Sequence, residues 1–211
     1  MPYTDLIWDF NGTLLNDVAA CLNSANDLLC GHGLKRLESV TDYRALFGFP
    51  IIDYYRRMGF DFEKDSYDEL AVEWVALYRK YSVGAGLFAS VKPTLEKVAQ
   101  KGIRQWILSA TERQMLESQV CALGIHSYFE DVLGLDNIHA HSKEALGVQW
   151  RAAHPNASVL FVGDTDHDAA VARAMGADCV LLSTGHQLPA TLAAANPLAV
   201  ADSLEDILTV L

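Results

Sequence analysis

Four short stretches of the sequence are largely apolar and show no alternation with polar residues, and they constrain the fold more than any other feature. They cover residues 6–8, 103–108, 159–162 and 179–182. A strand with one face in solvent alternates apolar and polar residues, whereas a strand covered on both faces does not. These stretches therefore predict strands of a parallel sheet buried between helices.

Amphipathic segments separate these strands. We predict helices at 91–100, 113–123, 143–153 and 169–175, and glycines at 102, 124 and 176 mark the ends of three of them. Strand and helix alternating in this way is typical of an α/β domain. The predicted fold class is α/β, with a Rossmann-like parallel sheet as its core.

The alternation is interrupted between residues 16 and 86. Leu15, Val18, Leu22, Ala25 and Leu29 are spaced by three or four residues, which places them on one face of a helix. Further helices are predicted at 43–47, 51–58 and 67–81, and no strand is predicted in this region. We expect an all-helical domain at 16–86 inserted into a core made of 1–15 and 87–211, with the sheet resuming near residue 90.

Polar clusters follow three of the predicted strands. Asp9 to Thr13 follow the first, Ser109 to Thr111 the second, and Asp164 to Asp168 the third. Ligands of open α/β sheets bind at the carboxyl ends of the strands. If the three strands are neighbours in the sheet, these clusters meet at one site.

These motifs make the chain similar to the haloacid dehalogenase superfamily. The chain resembles in particular the phosphoglycolate-phosphatase-like branch, whose helical cap domain is inserted after the first motif. The motifs that carry the resemblance are, in chain order, Asp9-x-x-Gly12-Thr13, Ser109, Lys143 and Gly163-Asp164-x-x-x-Asp168. The resemblance covers essentially the whole chain. It implies a phosphatase that hydrolyses a small phosphorylated metabolite through an aspartyl-phosphate intermediate.

The resemblance also implies a role for each motif residue. Asp9 is the expected nucleophile, and Mg²⁺ is the expected cofactor. The Asp9 side chain, the Asn11 backbone carbonyl and Asp164 are the expected metal ligands, with Asp168 supporting them. Lys143 and Ser109 complete the catalytic set, because charge that develops on the phosphoryl group must be stabilised.

The remaining candidates concern substrate binding. Gly12 allows a close approach of the backbone to phosphate. Thr13, Ala110 and Thr111 belong to the same loops, and Arg44 and Arg56 of the insertion are possible substrate contacts. Each candidate also has an ordinary structural explanation. Asp9 would cap a helix, Ser109 would be a loop hydroxyl, and Asp164 and Asp168 would be carboxylates at the start of a helix. The solvent-exposed cations would be Lys143, Arg44, Arg56 and Arg57. His139, His141 and His167 are expected at the surface or behind the site, and none is assigned to a metal.

Asn11 departs from the family pattern. Phosphomonoester hydrolases of this family carry Asp two residues after the nucleophile, where it protonates the leaving group and activates water. An amide cannot exchange a proton at neutral pH, and such help is worth about 10²- to 10⁴-fold in rate. Three explanations stay open: activated substrates such as acyl phosphates or pyrophosphates, a slow enzyme or phosphate-binding regulatory protein, or an engineered Asn11. The metal-independent dehalogenase branch is a further alternative, which Asp164 disfavours.

Charge and composition exclude several partners. The formal net charge is −11, which argues against nucleic acid and anionic membranes. No apolar run approaches the ~20 residues of a membrane span, and the first residues lack the pattern of a signal peptide. Cys21, Cys30, Cys121 and Cys179 are scattered, which favours a reducing compartment. We expect a cytoplasmic protein, a monomer or a homodimer.

Overall fold

The computed structural model describes residues 3–135 and 143–211. Its strands are β1 (Asp5–Trp8), β2 (Leu15–Asn16), β3 (Gly86–Leu87), β4 (Arg104–Glu112), β5 (Asp131–Leu135), β6 (Val159–Gly163), β7 (Asp178–Leu182) and β8 (Ala199–Ala201). Its helices are α1 (Val18–Gly31), α2 (Val40–Leu46), α3 (Ile51–Met58), α4 (Tyr67–Ser82), α5 (Val91–Gln100), α6 (Arg113–Ala122), α7 (Lys143–Ala153), α8 (Asp166–Met175) and α9 (Pro189–Ala194).

A parallel sheet forms the core, in the order β5-β4-β1-β6-β7-β8. In the central strand β1, Leu6 and Trp8 pack into one hydrophobic cluster together with Leu95 of α5. Ile7 packs into a second cluster together with Val171 of α8. Because successive side chains of a strand point to opposite faces, both faces of β1 are buried. This explains the unbroken apolar run and confirms the α/β prediction.

The inserted segment is helical, as predicted. Helices α1 to α4 share a hydrophobic cluster of their own, which includes Leu28, Tyr54, Tyr55 and Leu70. The two connections to the core pair with each other as a short antiparallel ribbon, in which Leu15 lies opposite Leu87. This ribbon lies where the chain leaves and re-enters the core. It supports our proposal of 16–86 as a separate domain.

Several details of the sequence prediction are wrong. The ribbon strands β2 and β3 lie in or beside a segment predicted to contain no strand, because two residues leave no periodic pattern. The strands β5 and β8 were not predicted either. The core resumes with α5, and the sheet resumes only at Arg104. Strand β4 continues through Glu112, so Ser109 to Thr111 belong to its carboxyl end. Helix α8 begins at Asp166, because Thr165 and Asp168 cap each other there.

Within residues 3–135 and 143–211, no helix has the length and apolar character needed to cross a membrane.

Candidate active site

The carboxyl ends of three neighbouring strands meet at one cavity. Strand β1 lies between β4 and β6, so the residues that follow or end these strands share one edge of the sheet. Asp9, Ser109 and Asp164, one from each strand, line a cavity of about 220 Å³. Asn11, Ala110, Thr111, Lys143 and Asp168 line it as well. The structure thus brings together most of the candidates predicted from sequence.

Lys143 joins two carboxylates at the floor of this cavity. Its Nζ donates to Oδ1 of Asp9 and to Oδ1 of Asp168, at 2.5 Å in both cases. The side chain of Lys143 is only 3% exposed, so it is not a solvated surface lysine. A buried ammonium must be paired with anions to offset its lost hydration. Lys143 therefore holds Asp9 in place and balances part of the local negative charge.

Asp168 orients this lysine and the loop before α8. Its Oδ2 accepts hydrogen bonds from the Thr165 hydroxyl at 2.7 Å, from the Thr165 amide at 2.9 Å and from the Asp164 amide at 3.1 Å. A Cβ at Gly163 would lie 2.4 Å from the Cβ of Asp168, so a glycine is required there. Asp168 accepts these three hydrogen bonds in addition to the one from the Lys143 ammonium, so it fits a position that supports the metal ligands.

Asp164 is completely buried beside the turn at Gly12. Its carboxylate accepts hydrogen bonds from the Thr13 hydroxyl at 3.1 Å and from the His186 amide at 2.6 Å. Gly12 has φ +73°, and a Cβ at this position would lie 2.3 Å from Oδ2 of Asp164. Neither Gly12 nor Thr13 lines the cavity. They support Asp164, and the phosphate contact expected from the motif stays a prediction.

The carboxylate cluster has the chemistry of a magnesium site. Oxygens of Asp9, Asp164 and Asp168 all lie within 4.8 Å of one another. Burial raises the pKa of Asp9 well above its ordinary value despite the attraction of Lys143, and burial raises the pKa of Asp164 to about 6. Both shifts express an excess of buried negative charge, which a hard divalent cation with oxygen ligands would relieve. The residues present therefore fit Mg²⁺.

The side chain of Asn11 is fully engaged in hydrogen bonds. Its Nδ2 donates to Oδ2 of Asp17 and to the Tyr78 hydroxyl, both at 2.7 Å, and its Oδ1 accepts from the Thr111 hydroxyl at 2.7 Å. A carboxylate can only accept hydrogen bonds, so Asp17 determines which way the amide points. An Asp at position 11 would place a half-buried carboxylate in contact with the buried carboxylate of Asp17. Asn11 is thus matched to its surroundings, which argues against a substitution introduced only to disable the site.

Asp17 also lies against His186, a residue that sequence reasoning did not single out. Nε2 of His186 is 3.2 Å from Oδ1 of Asp17, and its Nδ1 is 2.9 Å from the Tyr43 hydroxyl. Burial alone lowers the pKa of His186, but the Asp17 carboxylate outweighs this effect and raises it to about 9. His186 follows the carboxyl end of β7. Polar residues at the carboxyl ends of strands led to Asp9 and Asp164, and the same criterion would have found His186.

The sequence profile of the haloacid dehalogenase-like hydrolases matches residues 6–182. The chain belongs to this family. A phosphoglycolate phosphatase of Vibrio parahaemolyticus is 26% identical over 216 positions, covering 97% of this chain and 94% of its own length. A phosphoglycolate phosphatase of Pseudomonas fluorescens is 23% identical over 213 positions, covering 96% and 78%. These matches confirm the resemblance drawn from the motifs.

Solved structures show the same fold. Protein tyrosine kinase A of Mycobacterium tuberculosis superposes with a TM-score of 0.81 at 20% identity, covering 99% of this chain and 97% of that chain. A haloacid dehalogenase-like family protein of Streptococcus pneumoniae superposes with a TM-score of 0.77 at 22% identity, covering 99% and 98%.

The helical insertion of this haloacid dehalogenase-like hydrolase supplies the wall of the cavity opposite Asp9. Aromatic side chains dominate that wall, and we call the following six the aromatic wall: Tyr43, Phe47, Phe49, Tyr54, Tyr55 and Trp74. Sequence reasoning did not predict it, because these residues are scattered over three helices and a loop.

The arginines proposed as substrate contacts lie elsewhere in this hydrolase. Arg44 donates to the carbonyls of Thr184 and Gly185, at 2.7 and 2.8 Å, and so ties α2 to the core. Arg56 pairs with Asp53 at the surface. Neither lines the cavity, whereas Arg79 does. We therefore replace Arg44 and Arg56 with Arg79 as the candidate.

The histidines of the sequence analysis divide into two groups. His167 is partly buried and stacks on Phe49, with 4.4 Å between ring centroids, so it lies behind the aromatic wall. His139 and His141 lie outside the described residues.

Proposed function

We propose that this protein is a magnesium-dependent phosphatase that hydrolyses a small phosphorylated metabolite through an aspartyl-phosphate. The observation that carries the proposal is the buried Asp9, which Lys143 holds at 2.5 Å beside Asp164 in a cavity at the carboxyl edge of the sheet. The curated relatives named phosphoglycolate phosphatase support the reaction class.

In the first step, a carboxylate oxygen of Asp9 attacks phosphorus, and the bond from phosphorus to the leaving oxygen breaks with its electron pair on that oxygen. In the second step, water attacks the aspartyl-phosphate, which releases inorganic phosphate and restores the carboxylate. Splitting one displacement into two lowers each barrier. Lys143 keeps Asp9 oriented and balances negative charge throughout.

Mg²⁺, held by Asp9, Asp164 and the Asn11 carbonyl with Asp168 behind them, would reduce the repulsion between carboxylate and phosphate. Ser109 and Thr111 would support the phosphoryl group. The Thr111 amide donates to the Ser109 hydroxyl at 3.2 Å, and that hydroxyl donates to the Thr111 hydroxyl at 3.2 Å. This arrangement orders the end of β4 beside Asp9.

Asn11 sets the range of substrates. Its amide cannot give a proton to the leaving oxygen, so leaving groups that are weak bases are favoured. The proposed cap domain at 16–86 covers the site, and its closure would exclude water from the reacting atoms.

A second candidate function follows from the same residue. A protein that binds phosphate or forms aspartyl-phosphate without turnover would also keep Asp9, Lys143 and Asp164 while lacking an acid at position 11. Labelling of Asp9 in a burst, with no steady release of phosphate, favours this candidate over the phosphatase.

The test compares phosphate release by the native protein, Asp9→Asn and Asp9→Ala, with acetyl phosphate as substrate. We expect release only from the native protein and only with Mg²⁺, while all three proteins unfold cooperatively. Release by either variant at more than a trace rate contradicts the nucleophile. Full release of phosphate in excess chelator contradicts the requirement for Mg²⁺.

A further inference from the structure

The cavity has two chemically different halves. The half formed by the sheet edge is ionic, with Asp9, Asp164 and Lys143. The other half is the aromatic wall, and its rings contact each other edge to face. Phe47 and Tyr54 have centroids 5.2 Å apart at 70°, and Phe47 and Phe49 have centroids 5.9 Å apart at 79°. Rings packed in this way form a rigid apolar surface. A molecule with a phosphate at one end and an apolar group at the other fits both halves.

A small anionic leaving group fits this wall poorly. The carboxylate of a phosphoglycolate-like substrate would need cations or hydrogen-bond donors, because burial of an unpaired charge is costly. Arg79 is the arginine that lines the cavity within the described residues, and its side chain is exposed. The cavity of about 220 Å³ far exceeds the ~10–15 Å³ that one water requires. The wall is therefore suited to a ring rather than to a second charge.

Tyr54 adds one polar contact to this wall. It lines the cavity and is only 1% exposed, and its hydroxyl has no hydrogen-bond partner among the described residues. Buried polar groups in folded proteins are nearly always paired. Burial raises the pKa of Tyr54 well above its ordinary value, so the hydroxyl stays protonated and is available as a donor. A polar atom on the ligand would complete it.

Asn11 points to the same class of ligand for an independent reason. Without an acid at position 11, the leaving oxygen must depart unprotonated. A phenol has a pKa of about 10, as in tyrosine, whereas an aliphatic alcohol is a much weaker acid, about as weak as water. The aromatic wall and the Asn11 amide both favour an aryl oxygen as the leaving group.

We propose that the substrates are aryl phosphates, phosphate monoesters of a small phenol that carries a polar substituent. This proposal rests on the proposed phosphatase function. The bond between Asp9 and phosphorus forms, and the bond between phosphorus and the aryl oxygen breaks. The phenoxide leaves with the electron pair and takes a proton from solvent. The phenyl ring lies against the aromatic wall, and Tyr54 donates to the substituent.

Four compounds separate the two requirements. Phenyl phosphate has a ring and a phenoxide leaving group, benzyl phosphate has a ring and an alkoxide, acetyl phosphate has a good leaving group and no ring, and phosphoglycolate has neither. We expect phosphorylation of Asp9 by phenyl phosphate, measured in a single turnover, to be faster than that by benzyl phosphate by about 10²-fold or more. We expect KM for phenyl phosphate to be about 10- to 100-fold below that for acetyl phosphate, the effect of burying one ring.

Variants test the wall itself. Trp74→Ala should raise KM for phenyl phosphate about tenfold or more and change KM for acetyl phosphate much less. Val72→Ala, on the exposed side of the same helix, is the matched control and should change neither. Tyr54→Phe keeps the ring and removes the hydroxyl. It should abolish any lower KM for 4-acetylphenyl phosphate relative to phenyl phosphate, while the difference in rate that the leaving group sets should stay.

The outcomes distinguish the two proposals. Equal KM for acetyl and phenyl phosphate overturns the aryl proposal and leaves the phosphatase intact. A preference for phosphoglycolate that Arg79→Gln abolishes overturns it in favour of a small carboxylate substrate. If no compound is hydrolysed, the phosphatase is wrong, and calorimetry with phenylphosphonate and methylphosphonate decides the ligand class. Tighter binding of phenylphosphonate by about tenfold supports an aryl ligand, and equal binding overturns it.

Discussion

Replacing Asn11 with Asp should destabilise the protein rather than simply restore a faster enzyme. The new carboxylate would take the place of Nδ2, which lies 2.7 Å from Oδ2 of Asp17. Two unit charges about 4 Å apart repel by about 4 kcal/mol at an effective dielectric constant of about 20. Hydrogen bonds to the Tyr78 hydroxyl would also have to rearrange. We expect Asn11→Asp to lower the free energy of unfolding by about 2–4 kcal/mol at pH 8.

The penalty should depend on pH with a definite sign. Two carboxylates in contact raise the pKa of the pair, because one shared proton removes the repulsion. A group whose pKa is raised by folding destabilises the folded state above its unfolded pKa of about 4. The loss caused by Asn11→Asp should therefore be larger at pH 8 than at pH 5.

The reciprocal exchange tests the cause. Asn11→Asp combined with Asp17→Asn restores one amide and one carboxylate in contact, so part of the stability should return. We expect a coupling energy of about 1–3 kcal/mol between the two positions. Turnover of substrates with alkoxide leaving groups should rise in the double variant, since a carboxyl group then stands at position 11.

Urea unfolding followed by circular dichroism measures all four proteins of this cycle. Asn23→Asp is the matched control, because it adds the same charge at an exposed position of α1, and it should change stability by less than about 0.5 kcal/mol. If Asn11→Asp is as stable as the native protein and the two substitutions are additive, then Asp17 does not constrain position 11 and the reasoning is refuted.

Three further predictions concern the site and the fold. Activity with acetyl phosphate should vanish on chelation and return with Mg²⁺ but poorly with Ca²⁺, which prefers more ligands at longer distances; equal rates with both ions would contradict the site chemistry. Gly12→Ala should lower the free energy of unfolding in urea more than Gly33→Ala does. Both glycines have positive φ, at +73° and +69°, but only a Cβ at Gly12 would overlap Asp164. Equal losses would contradict the close contact between Gly12 and Asp164. Although burial raises the pKa of Asp5, hydrogen bonds from Thr4, Arg104 and Trp106 outweigh this effect and hold the pKa below its ordinary value. The stabilisation by Asp5 is therefore present above the unfolded pKa of about 3.9 and is lost as pH falls through the folded value. Asp5→Asn should lower the free energy of unfolding less at pH 3 than at pH 6.

The sequence by itself determined the class of fold and the edge of the sheet that carries the site. The local sequence pattern predicts which strands are buried, because a strand covered on both faces needs apolar residues in succession, as at residues 6–8. The position of Asp9, Ser109 and Asp164 at strand ends then followed from topology, since parallel strands present their carboxyl ends at one edge. The helical insertion was also predicted from local pattern, because the apolar residues from Leu15 to Leu29 have helical spacing.

The lengths of strands and the presence of short strands were harder to predict from the sequence. The extension of β4 to Glu112 and the pairing of Leu15 with Leu87 depend on partners that are distant along the chain. Hydrogen bonds of this kind leave little trace in local composition.

Only the tertiary structure decided what surrounds the reacting atoms. The burial of Lys143, the contact between Asn11 and Asp17, and the approach of His186 all join segments that lie far apart in sequence or in different elements. Polar residues such as these look the same in a sequence whether they face solvent or a buried partner. Their hydration is lost and their partners are met only when the chain has packed. Those partners raise the pKa of His186 and Lys143 and orient the Asn11 amide.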